Sequence, residues 1–154
     1  MDTVTYPDAR VADMVQRDFI PVRVKVKEDR QLTGDYLVTW TPNVVVADER
    51  GRVHYRIEGY VPPEEFMARL ALGLGRFRFN RGQFDRARER FEEVARRHGG
   101  TDAGAEAQYW LGVTRYKESH DPGSAAPVVG PTRPGLPGKR LVEACPDPGQ
   151  ELTA

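Results

Sequence analysis

The most reactive group this sequence could offer is a thiol, and there is one, Cys145. Thiol–disulfide exchange needs an attacking thiolate with a resolving thiol close by. Cys145 stands in a proline-rich stretch with no second thiol and no helix start to activate it, so it reads as an incidental free thiol. His54, His98 and His120 are scattered, with no second ligand at metal spacing, so no metal and no cofactor is expected. Glu64 and Glu65 have the chemistry of an acid–base pair, but neighbours on a helix do not face each other. Both suit the positive end of a helix dipole instead. Arg86, Arg88, Arg90, Arg96 and Arg97 could meet phosphates, yet Asp85, Glu89, Glu92 and Glu93 interleave them, which describes a solvated helix face. Tyr109, Trp110 and Tyr116 could stack a ligand, but they read better as packing between helices, partly uncovered where a following helix is missing.

Bulk composition narrows the classes further. The 154 residues carry 23 basic and 23 acidic side chains, a formal net charge of zero. A protein built to hold nucleic acid normally shows a basic excess, so no nucleic-acid partner is expected. A single cysteine excludes an internal disulfide framework. No basic segment leads into an apolar core, and no run of about twenty apolar residues occurs. The expectation is a soluble, cytoplasmic protein with no membrane association.

The elements that must position these residues follow from local pattern. Residues 7–18 read as a short helix, with Pro7 and Asp8 at its start and Val11, Met14 and Val15 on one face. Val22, Val24 and Val26 alternate with Arg23, Lys25 and Lys27, which predicts a strand over 22–27. Asp29 caps a brief helix that Gly34 weakens. Val44–Val45–Val46–Ala47 is a continuous apolar run, suited to a strand covered on both faces. Gly51 turns it into an alternating segment 53–58, so 43–48 and 53–58 predict an antiparallel hairpin. Pro62, Pro63, Glu64 and Glu65 open a helix over 63–79 with Phe66, Leu70, Leu74 and Phe77 along one stripe and Met67 and Leu72 off it. A second amphipathic helix spans 83–97, where Phe84 and Phe91 are expected to face Leu74 and Phe77. A third spans 102–118, with Ala105, Tyr109, Val113 and Tyr116 on one side. From Asp121 onward prolines and glycines dominate, and 121–154 reads as a disordered tail.

Trp40-Thr41-Pro42 directly before the strand 43–48, the hairpin, Glu58-Gly59-Tyr60 and the helix after them resemble the latter part of a thioredoxin-like domain, as does the opening Asp2-Thr3-Val4-Thr5-Tyr6-Pro7. The resemblance covers 1–75. It implies an α/β fold, here an incomplete thioredoxin-like mixed sheet of three strands, and a cis proline at Pro42. It also implies that Trp40, Thr41 and Pro42 present backbone to a bound peptide. The family's CxxC motif, and the strand before it, would precede Asp2.

Residues 71–118 resemble a tetratricopeptide-type helical repeat. Leu74-Gly75, Gly82, Phe84, Ala87 and Phe91 fall at the spacing of one motif, and Leu111-Gly112 restarts it. The helix expected next is replaced by the proline-rich tail. The resemblances imply a non-catalytic module that binds a protein or peptide partner, with Tyr109, Trp110 and Tyr116 as an interaction face. An uncovered aromatic face also invites self-association. The alternative is a thiol–disulfide oxidoreductase whose dithiol lies upstream of this sequence.

Overall fold

The computed structural model describes residues 1–120; the tail expected over 121–154, with Cys145, lies outside the described residues. Among the described residues five helices and two strands follow one another in the order α1 (Ala9–Asp18), α2 (Arg30–Asp35), β1 (Asn43–Ala47), β2 (Val53–Glu58), α3 (Pro63–Asn80), α4 (Phe84–Arg97) and α5 (Asp102–Ser119). Asp8 caps α1 by accepting from the Arg10 amide, and Asp29 caps α2 by accepting from the Leu32 amide. Pro63 opens α3, where its missing N–H leaves no helical bond unmade. Thr101 caps α5 through the Gly104 amide.

β1 and β2 form an antiparallel hairpin, with Val44 opposite Ile57 and Val46 opposite Tyr55. The turn is closed by Asp48, whose side chain accepts from the amides of Arg50 and Arg52, while Gly51 takes a φ of 76°.

The sheet has two strands among the described residues, not three. Residues 22–25 have the alternation of a strand but are irregular, and 26–28 form a turn. Val22 is 78% exposed, and Val24 and Val26 are partly open. Residues 20–24 make no backbone–backbone hydrogen bond to other described residues. The reason is that alternation selects a face but cannot supply a partner: a strand exists only where a neighbour satisfies its amides and carbonyls.

α3 is the centre of the molecule. Its Phe66 and Leu70 join Val11, Val46, Ile57 and Val61 in one core cluster, between α1 and the hairpin. Its Ala68 and Leu72 join Ala87, Phe91, Val94, Ala103, Ala107 and Leu111 in a second, between the three long helices. Positions two apart on a helix point to nearly opposite sides, so one helix serves both cores. Two glycines allow the close approaches. A Cβ at Gly73 would lie 3.1 Å from that of Tyr55, and one at Gly75 would lie 2.5 Å from the Phe91 ring.

Contacts along the helices give their directions. Glu64 meets His98 and Phe79 meets Phe84, so α3 and α4 are antiparallel. Arg88 meets Glu118 and Phe91 meets Trp110, so α4 and α5 are antiparallel too. The facing residues differ from the expected pairing. Phe91 lies against Gly75 and Phe84 against Phe79. Phe77 turns the other way and packs edge-on against His54 of β2. On α5 the buried residues are Ala103, Gly104, Ala107, Leu111, Gly112 and Thr114, because small side chains let this helix approach α3 and α4.

Candidate functional site

The loop 36–42 is held by one arginine of the hairpin. Arg56 on β2 donates to the carbonyl of Tyr36 and to Asn43 Oδ1, at 3.2 Å for the latter. Asn43 in turn donates to Glu58 Oε1, and the Gly59 amide donates to the Pro42 carbonyl at 2.8 Å. Leu37, with a φ of 50°, turns the chain out of α2 into this loop. The Thr41–Pro42 peptide is cis.

Trp40 is 68% exposed, and Leu37, Val22 and Ile20 are more exposed still. A groove of about 510 Å³ runs between Lys25–Glu28 on one side and Val38, Thr39, Trp40 and Thr41 on the other. It continues past Val26 and Lys27 into a second hollow of about 490 Å³ over Thr33, Gly34 and Leu37. Its walls are mainly apolar, with Thr33, Thr39 and Thr41 among them, and its rim carries Lys27, Arg30 and the pair Lys25–Glu28, joined at 2.8 Å. Exposed apolar area gathered in one place marks a surface that binds something. The alternation at Val22, Val24 and Val26 was the available signal for this surface. Leu37 carried none.

The aromatic group on α5 divides. Tyr109 and Tyr116 are exposed at 64% and 40%. Trp110 is partly buried: its ring stacks near Phe91, meets Phe79 edge-on and lies 3.8 Å under the Arg76 guanidinium. Its indole N–H donates to Glu106, which also accepts from the Tyr55 hydroxyl at 2.9 Å. Burial, followed by the Glu106 carboxylate, pushes the Tyr55 hydroxyl upward in pKa. This cluster ties β2, α3 and α5 together, so Trp110 belongs to the framework and the two tyrosines to the surface.

The remaining polar residues also have structural partners. His54 is buried between Asp48 at 3.2 Å and Asn80 at 2.9 Å. Because a carboxylate only accepts, Nε2 donates to Asp48 and Nδ1 accepts from the Asn80 amide nitrogen. The Arg52 amide donates to Asp48 and, with His54 and the Arg50 amide, holds its carboxyl down at about 2. Glu64 pairs with His98, and Glu65 accepts from Arg69 at 2.7 Å and from the Ala103 amide at the start of α5. So these carboxylates do more than cap their own helix. Arg88, Arg90 and Arg97 each pair with acidic neighbours. No group of three His, Cys, Asp or Glu among the described residues could hold a metal ion. No helix among them is long and apolar enough to cross a membrane.

The family model described as a thioredoxin-like domain matches residues 2–73. Over these residues the chain is similar to a thioredoxin-like domain. The match ends within α3, two residues before Gly75, so α4 and α5 lie beyond the matched residues. No curated protein and no solved structure matches the chain.

Proposed function

We propose that the chain is a non-catalytic interaction module whose thioredoxin-like domain holds an extended peptide in the groove beside Trp40, Thr41 and Pro42. The observation that carries this reading is the exposed apolar strip around Trp40, set on a loop that Arg56 pins in place. Lys25 is paired with Glu28, which leaves Lys27 and Arg30 on the rim to favour a peptide with acidic residues among apolar ones. The helices serve as the support. Gly75 against Phe91 and the short links after α3 and α4 are what a tetratricopeptide-type repeat requires, and they favour that reading of 71–118.

Panning a random peptide library on the protein tests the site. Selected peptides should lose binding to Trp40→Ala and keep it with Tyr109→Ala. The reverse pattern would move the site to α5 and end the groove assignment.

One observation favours a second reading, an oxidoreductase whose dithiol is supplied from outside this sequence. The backbone of 20–24 and the outer edge of β1 both lack strand partners among the described residues, which leaves two edges for one further strand. An in-frame CxxC after a strand-like segment in the upstream coding sequence would favour it.

A further inference from the structure

Residues 20–24 link α1 to the turn at 26–28, and their amides and carbonyls make no backbone–backbone hydrogen bond among the described residues. Drawn out as a strand, such a segment has two edges, because successive residues point their N–H and C=O groups to opposite sides. The two edges are unequal. One carries Pro21, Arg23 and Lys25. Pro21 has no N–H, and the Lys25 carbonyl already accepts from the amides of Glu28 and Asp29. The other carries Ile20, Val22 and Val24, whose amides and carbonyls have no backbone partner among the described residues.

The side chains repeat the division. Ile20, Val22 and Val24 are exposed at 93%, 78% and 38%, and alternation gives them one face. Arg23 and Lys25 take the other face. Arg23 reaches Asp2 at 3.4 Å and Lys25 pairs with Glu28 at 2.8 Å, but both pairs lie in water, where they are worth little. Lys27, on the groove rim, adds a third cation. This combination selects an occupant. A second copy of the segment would set Arg23 and Lys25 against the same basic residues, and like charges directly across a strand pair repel. Lysines on a free edge guard against such self-pairing. A strand that alternates apolar with acidic residues matches both faces.

We propose that an extended segment of a partner protein, with apolar and acidic residues in alternation, adds itself as a strand along Ile20, Val22 and Val24. This rests on the reading of the chain as a peptide-binding module, and it gives that peptide a backbone register. Main-chain bonds to Ile20, Val22 and Val24 supply affinity without regard to sequence, and the alternation supplies specificity. The partner's apolar residues cover Ile20 and Val22, and its carboxylates meet Arg23 and Lys25. Lys25, one residue on from Val24, already lines the groove, so the paired strand leads into it.

A synthetic peptide of about six residues, alternating valine and glutamate, is the probe. Titrated into the full chain, it should slow amide hydrogen exchange at Ile20, Val22 and Val24 and leave Arg23 unchanged. Methylating the peptide's backbone nitrogens on the pairing side should weaken binding by about tenfold or more. Arg23→Glu with Lys25→Glu should reject this peptide and accept one alternating valine and lysine. Binding that Trp40→Ala abolishes, with no change at Ile20, Val22 and Val24, would overturn the pairing and leave the groove assignment standing. Slowed exchange at these residues that survives Trp40→Ala would keep the pairing and remove the groove. No binding of the alternating peptide would overturn the proposal, whatever other peptides panning selects. The same slowing on raising the protein concentration without peptide would assign the edge to a second copy and overturn it equally.

Discussion

Gly75 on α3 lies against the ring of Phe91 on α4, so close that a Cβ there would sit 2.5 Å from ring Cε1 and 2.7 Å from Cδ1. Phe91 is fully buried. Phe91→Ala should cost about 3–5 kcal/mol, as for other buried aromatics. Gly75→Ala gains helix propensity but overpacks a full core, and it should destabilise by about 1–3 kcal/mol. The double variant should be more stable than the sum of the two changes implies, because the new methyl enters the space the ring left. Additive costs in urea unfolding would show that the two residues do not touch.

Acid should weaken the hairpin through Asp48. Its carboxyl is held down at about 2 in the folded chain, below the 3.8 of an ordinary aspartate. The folded state therefore binds this proton less readily than the unfolded state does. Its contribution to stability is complete above about pH 4 and is lost as pH falls toward 2. Asp48→Asn keeps the turn acceptor for the Arg50 and Arg52 amides but has no charge to lose. Thermal melts from pH 6 to pH 2 should show a smaller drop for this variant. Parallel curves would remove Asp48 from the acid response.

The two tryptophans should differ in access to a soluble quencher. Trp40 is open, whereas Trp110 is covered by Arg76, Phe79 and Phe91. Acrylamide should quench the Trp110→Phe variant, which retains Trp40, more steeply than the Trp40→Phe variant. Equal slopes would mean that the Trp110 cluster opens in solution.

Disulfide reduction gives a chemical test. The sequence holds one thiol, and turnover of a disulfide needs a second to resolve the mixed intermediate. The chain 1–154 should reduce a model disulfide no faster than Cys145→Ser does. Cysteine-dependent turnover above that background would overturn the non-catalytic reading of this sequence.

Several elements were legible before any fold was known, because their causes are local. Asp8, Asp29 and Pro63 mark helix starts by the hydrogen bonds they make or omit, and α1, α2 and α3 begin there. The hairpin was visible from its alternating residues and from Gly51, whose positive φ a turn requires. Ala87, Phe91 and Val94 recur at helical period and are the buried face of α4.

Tertiary structure alone decided the rest. Val22, Val24 and Val26 have a strand's pattern, but no local rule supplies the neighbour that would make them one. On α5 the period joined Trp110 with Tyr109, and only packing separated them. The small residues Ala103, Gly104 and Ala107 drew the helix inward on one side, which covered the indole and left the phenols in water. His54 meets Asn80 across 26 positions, and Tyr55 meets Glu106 across 51. Sequence period specifies which side of an element is apolar; which other element comes to cover it depends on shape and volume shared between distant parts of the chain.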